Sequence, residues 1–351
     1  MDKLGRRRFL AVGLSTTAAS IAGCIAPGSR GSGPYSWFPA QSSGTATAYL
    51  DYTLSEDTHQ INPVLPLLLP SNEQDRNGDA LASPLSNVDD ISDPLLTFPL
   101  EAGGRFLATA ALSLANIGLG QLVDPARPTE GVTELFFANG VTVGMGDIDP
   151  SDISTTLQTG PDQSRFESVG EDGAYTLYRQ QSDDDGFAAV SESAVVVAES
   201  RTQLEAVLDT RRGNRENVAE ADDTFSNLID TTDKGHILVG WGAPISLAQF
   251  SIGDEPVEPT TTFISADDDV VSSATFEPEN GQITTDLALS TADSVSQDRL
   301  DEPLGSASAD YSLSTDGNQV TASGRYTEST VNINFVADRT ASTRPTVSRR
   351  D

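Results

Sequence analysis

Apolar and polar side chains alternate from Thr45 to Tyr52, the period of a strand that buries one face. Strand-like apolar runs return in Val132 to Ala138 and in Val141 to Met145. The Asn139-Gly140 pair between them is the strongest short signal for a tight hairpin. The period then lengthens. Asp149 is placed to cap a helix that starts at Pro150, with Ile153 and Leu157 facing inward and Gly160 closing it. A second run of this kind follows. Phe187 to Val190 and Ala194 to Ala198 form a hairpin, Ser200-x-x-Gln203 is a capping box, and Leu204, Val207 and Leu208 face inward before Gly213 ends the helix. The helical anchors 153 and 204, like 157 and 208, are 51 residues apart, so the spacing predicts a strand–strand–helix unit used twice. Further on, the pattern predicts a helix over 224–230 and strands over 236–241, 270–276, 282–289, 308–314, 319–326 and 330–336. Turns fall at Gly281 and Asp316-Gly317, and a short helix near 293–300 interrupts the strands.

Two stretches break the alternation. Residues 62–100 hold Pro63, Pro66, Pro70, Pro84, Pro94 and Pro99 without a clear period, which predicts a long structured loop, fit to be a lid or a docking surface. After Arg105 the chain runs FLATAALSLANIGLGQLV to Val123 with no charge. A membrane span needs about 20 consecutive apolar residues. Here Thr, Ser, Asn, Gln and two glycines dilute the run, so a helix buried on most sides is expected instead. Hairpins outnumber helical crossovers. The fold class expected is therefore α+β, with mainly antiparallel sheets, strand–strand–helix units and one largely buried helix near 105–123. This acidic body covers 35–337, with two subdomains, about 35–245 and 246–337, as an open alternative to one domain.

The N-terminus speaks of export. Lys3, Arg6, Arg7 and Arg8 precede an apolar run from Phe9 to Ala22 that is too short to span a bilayer, which marks residues 1–23 as a signal peptide. Arg6, Arg7, Phe9 and Leu10 resemble a twin-arginine (Tat) signal, although Gly5 and Ala11 depart from its usual residues. Ile21, Ala22, Gly23 and Cys24 resemble a lipobox, which implies lipid attachment at Cys24, the chain's one cysteine. Residues 24–34 then read as the lipidated cysteine and a Gly/Ser/Pro tether, reaching about 17 Å root-mean-square if flexible. The expected location is the outer side of a cell membrane, reached through the Tat translocase and held by lipid on Cys24. One cysteine also leaves no internal disulfide framework.

Charge changes the picture further. The chain carries 21 Lys+Arg against 52 Asp+Glu. Without Lys3, Arg6, Arg7, Arg8 and Asp2 of the signal, 17 basic and 51 acidic residues remain, a net −34, and Lys234 is then the one lysine. Such self-repulsion opposes a compact state in dilute salt. At molar salt the Debye length falls to about 3 Å. The composition resembles that of salt-in halophiles, and together with the signal it resembles the haloarchaeal Tat lipoproteins as a class. No basic stripe faces phosphates, so no nucleic-acid partner is expected. The basic tail 338–351, with Arg339, Arg344, Arg349 and Arg350, is expected to be disordered.

Signatures of chemistry are missing. There is no H-E-x-x-H, G-x-S-x-G, phosphate loop or dinucleotide-binding glycine fingerprint, so no cofactor, metal or catalytic residue is expected. His59 reads as a surface residue and His236 as a structural one on an apolar strand. Asp147-x-Asp149-x-Ser151 opens like a calcium loop, but Asp152 stands where glycine is needed. Asp75-x-Asn77-Gly78-Asp79 lacks the closing glutamate, while Asp183 to Asp185 and Asp267 to Asp269 read as surface turns. The run Ala194 to Ser200, with Leu204, Leu208, Phe225 to Leu228 and the strand from His236, resembles a family of exported proteins of unknown function. That resemblance implies an apolar strand, two short helices and a returning strand, and no activity. The reading favoured is a non-catalytic envelope lipoprotein with a binding or structural role, its protein or small-molecule partner open. A solute-binding lipoprotein of a transporter and an extracellular hydrolase are the alternatives.

Overall fold

The computed structural model describes residues 34–40, 44–51, 92–123, 131–160, 165–181, 186–242, 264–265, 267–277, 281–292, 300 and 304–327. The expected signal peptide, Cys24, tether residues 25–33, most of the proline-rich stretch, the strand at 330–336 and the tail lie outside them.

Among the described residues twelve strands form one sheet: β1 (Thr45–Asp51), β2 (Gly131–Ala138), β3 (Val141–Asp147), β4 (Phe166–Asp172), β5 (Tyr175–Gln180), β6 (Phe187–Val190), β7 (Ala194–Ala198), β8 (Ile237–Gly242), β9 (Asp269–Glu277), β10 (Gln282–Ser290), β11 (Asp310–Asp316) and β12 (Gln319–Thr327). Their order is β11-β12-β10-β9-β8-β1-β2-β3-β7-β6-β5-β4, and every pairing is antiparallel. The fold is thus mixed α+β and mostly antiparallel sheet. Strands on both sides of residue 245 share that sheet, because β8 pairs with β9 from Ile237↔Ala274 to Trp241↔Val270. β1 is buried on both faces at the middle of the sheet, flanked by β8 and β2.

Two apolar layers cover the two faces. On one, α1 (Pro94–Asn116) crosses β1, β2, β3, β8, β9, β10 and β12. At 1.5 Å per residue its 23 residues extend about 35 Å, long enough to cross several strands spaced near 4.8 Å. Ala46, Ala48, Leu50, Leu96, Phe106, Ile237 and Val239 belong to this layer, as do Ile153 and Leu157 of α2 (Pro150–Thr159). The other face is covered by α3 (Arg201–Arg211), α4 (Val218–Ala221), α5 (Asp223–Thr231) and a 3-10 turn at Pro34–Trp37. The helices that follow the β2–β3 and β6–β7 hairpins therefore sit on opposite faces of the sheet.

The long helix corrects the expectation of a loop through residue 100 and a helix over 105–123. It starts at Pro94, where the missing N–H would have had no intrahelical partner, and it ends at Asn116; a separate 3-10 turn spans Gly120–Val123. Pro99 sits inside it and withholds the N–H that would bond the carbonyl of Leu95. Asp93 caps the helix, its Oδ1 accepting the Leu95 N–H at 3.1 Å. Gly103 lets the helix approach β8, since a Cβ there would lie 2.6 Å from Ile237 Cγ2. Among the described residues no helix is long and apolar enough to cross a membrane.

β4 and β5 went unread in the sequence. β4 is an edge strand, mostly exposed, acidic and bulged between Ser168 and Gly170, so no apolar alternation marks it. Asn139 and Gly140 take φ of 48° and 82°. These are the left-handed positions of the tight hairpin between β2 and β3, and Asn139 Oδ1 also accepts the Ala46 N–H at 3.1 Å.

Candidate functional site

A gathering of ionisable groups lies where β1 ends and β2 and β8 begin. Tyr49 and Asp51, two apart on β1, project to the same face. Register sets Asp51 directly opposite Glu134 and Tyr49 opposite Phe136. β8 enters beside them, where the Asp51 N–H donates to the His236 carbonyl at 2.8 Å. Lys234 lies just before, its Nζ 4.7 Å from the centre of the Tyr49 ring. One strand end thus collects two carboxylates, a phenol, an ammonium and an imidazole from three parts of the chain.

Like charges directly opposite across a strand pair repel, so this arrangement needs compensation. Burial raises the pKa of Glu134, and the Asp51 charge adds to the rise; Lys234, then Tyr49 and Arg211, pull it back. Tyr49 is only 2% exposed. Its phenol is held far above its ordinary value by burial first and then by the two carboxylates.

His236 is half-buried, and its Nδ1 accepts the Phe276 N–H at 3.0 Å. That bond requires a bare Nδ1, so the ring is neutral with its proton on Nε2. Burial lowers its pKa and Lys234 adds to the fall, against the opposing pull of Asp51. The imidazole is therefore tied into the β8–β9 backbone. Asp51 and Glu134 thus face each other across β1 and β2, with Lys234 as the neighbouring positive charge.

The other expected positions fall as follows. Asp149 is the cap of α2: its Oδ1 accepts from the Ser151 N–H at 2.9 Å and from the Ser151 hydroxyl at 2.6 Å. Those bonds lower its pKa. Asp147, Asp149 and Asp152 line an open cavity of about 480 Å³ with Gln121 and Thr156. Among the described residues no group of three His, Cys, Asp or Glu is arranged to hold a metal ion. The reading of Asp267 to Asp269 as a surface turn holds for the exposed Asp267 and needs correction at Asp268. Asp268 is buried, accepting the Ser265 N–H at 2.8 Å and the Ala292 N–H at 3.3 Å, so it ties the start of β9 to the end of β10. Arg6, Arg7, Phe9, Leu10, Ile21, Ala22, Gly23, Cys24, His59, Asp75 to Asp79 and Asp183 to Asp185 lie outside the described residues.

Of the clustered groups, sequence reasoning singled out His236 and the rarity of Lys234, and missed Tyr49, Asp51 and Glu134 as a set. One signal was present: Glu134 is a lone charge inside the apolar run Val132 to Ala138.

No family model matches the chain, and no curated protein matches it. Among solved structures, crystal form III of TP0453 is similar over 86% of this chain and 97% of that chain, at 9% identity and a TM-score of 0.43. Crystal form I of TP0453 is similar over 86% and 96%, at 9% identity and a TM-score of 0.40. Likeness at that level carries no functional argument.

Proposed function

We propose that this chain is a non-catalytic lipoprotein of a halophile's cell surface, exported by the Tat translocase and anchored through lipid on Cys24, with a binding or structural role. One observation carries the reading. The only cysteine follows Ile21-Ala22-Gly23 at the end of a twin-arginine signal, ten residues before the buried Pro34. Two lipid chains, at roughly 0.8 kcal/mol per buried CH₂, would hold it stably. The net charge of −31 over the full chain fits an outer surface bathed in concentrated salt. The non-catalytic part is supported by the tying of His236 Nδ1 to the backbone. The two hairpin–helix segments are read as strand–strand–helix units of similar local design, each capping its helix by a side chain, Asp149 or Ser200.

Detergent phase partition of the full chain expressed in a haloarchaeal host tests the reading. Wild type is expected in the detergent phase and Cys24→Ser in the aqueous phase. Equal partition of the two would remove the lipid anchor. Arg6→Lys with Arg7→Lys should leave the precursor inside the cell, and normal export of that variant would remove the Tat route.

A further inference from the structure

We propose that the face built from residues 34–40, the C-terminal end of α3 and the turn after it rests on the phosphate headgroups of the membrane, with Arg211 and Arg215 as headgroup contacts. This rests on the lipid anchor proposed above. The first argument is chain length. Ten peptide units separate Cys24 from Pro34, a span of at most about 33–36 Å. Pro34 to Trp37 are all buried, so the point where the chain enters the body is fixed. Val218 N–H donates to the Phe38 carbonyl at 2.9 Å and Ala40 N–H to the Glu216 carbonyl at 3.2 Å, and Pro39 bridges Asn217. The Tyr35 ring meets Phe225 edge-on at 5.8 Å. The anchor therefore draws this side of the sheet toward the bilayer. The far edge, β11, lies eight strand spacings from β7, on which α3 packs, or about 38 Å at 4.8 Å each.

The second argument is charge. Arg179, Arg201 and Arg212 are spent on Glu167, Glu205 and the pair Asp172 and Asp209. Among the described residues Arg211 and Arg215, like Arg105 and Arg325, have no carboxylate within ion-pair distance, although Arg211 acts on Glu134 through its field and acidic side chains far outnumber basic ones. Both are exposed, and both lie against the entering segment. The Arg211 guanidinium sits 5.0 Å over the Trp37 ring and donates to Ser36 Oγ at 3.0 Å. Arg215 lines a cavity of about 170 Å³ with Phe38 and Pro39. Glu216 and Glu220 flank them, exposed to solvent. At molar salt, fields beyond about 3 Å are screened, so only charges in direct contact count. A guanidinium fork matches a phosphate in that regime.

The test uses the full lipidated chain in phosphatidylglycerol vesicles carrying headgroup nitroxide, in molar KCl. Asn214→Cys, beside Arg215, and Ser312→Cys, on β11, carry the same fluorophore; lipidation consumes the Cys24 thiol. Flotation comes first. A chain that fails to float loses both the anchor and this face. In floated protein, quenching at 214 should exceed that at 312 several-fold, and Arg211→Ala with Arg215→Ala should narrow the difference. Equal quenching at both sites overturns the orientation while leaving the anchor standing. An unchanged ratio in the double variant overturns the arginine contacts.

Discussion

The Asp93 carboxylate accepts a hydrogen bond from the Tyr326 hydroxyl at 3.0 Å across 233 residues of sequence. Asp93 is fully buried, and its two oxygens also accept the N–H groups of Leu95, Gly305 and Ala307. One residue caps α1, holds the turn at 304–307 and pins β12. Burial first, and then the Asp93 charge, push the Tyr326 phenol well above its ordinary range, so it remains a donor.

Asp93→Ala should cost about 3 kcal/mol or more, because it removes a cap and strands several buried donors at about 1–3 kcal/mol each. Tyr326→Phe, which leaves the three backbone bonds, should cost about 1.5–3 kcal/mol. Urea unfolding in molar KCl measures both. Equal costs would show that the carboxylate does not organise the three elements.

His236 predicts an acid limb of stability. Its folded pKa lies below the ordinary 6.5 or so, so the unfolded chain binds the proton more readily. Stability is then complete above about pH 6.5 and declines as pH falls from there toward the folded pKa. Protonation would also cost the acceptor for the Phe276 N–H. His236→Gln keeps an acceptor without that titration, and thermal melts should show its acid slope flattened against wild type.

Glu134 has the opposite sign. Its pKa is raised in the fold, so its charged form penalises the native state, and stability falls as pH rises from the ordinary carboxylate value through the folded one. Glu134→Gln should therefore gain on wild type as pH rises through that window. Lys234→Met, which removes a charge that pulls the Glu134 pKa down, should be more harmful in the wild-type background than in the Glu134→Gln background. A double-mutant cycle reads that coupling, and additive effects would dissolve the cluster into independent residues.

Gly103→Ala sets helix propensity against packing. Alanine gains up to about 1 kcal/mol in a helix interior. The added methyl would fall 2.6 Å from Ile237 Cγ2 and 3.3 Å from Val239 Cγ1. Overpacking of this kind costs about 1–3 kcal/mol, so a net loss of stability is expected. A stabilised variant would mean that α1 can lift from β8.

Lowering KCl from about 1 M to 0.1 M lengthens the Debye length from about 3 to 10 Å and restores repulsion among the acidic side chains. The melting midpoint should fall steadily through that range. A midpoint insensitive to salt would detach the composition from any halophilic role.

Local chemistry made much of the fold legible. Asn139-Gly140 dictated a left-handed turn, Asp149 and Ser200 offered caps, and continuous apolar or alternating runs marked the strands from β6 to β12 within a few residues, because each signal is satisfied inside one short segment. The proposed export and anchoring rest likewise on residues 6–24, read as linear motifs. Contacts between distant segments were not legible. Pro94 and Pro99 looked like helix breakers until Asp93 received donors from residues 305, 307 and 326. Ile153 and Leu204 looked equivalent, yet they face opposite sides of the sheet, since a hairpin and a helix alone do not say which face lies open. Asp268 looked like one more surface acid until β10 brought the Ala292 N–H to it. The carboxylate pair of Asp51 and Glu134 exists only through the register of β1 on β2, and register is decided by which side chains a sheet can bury together.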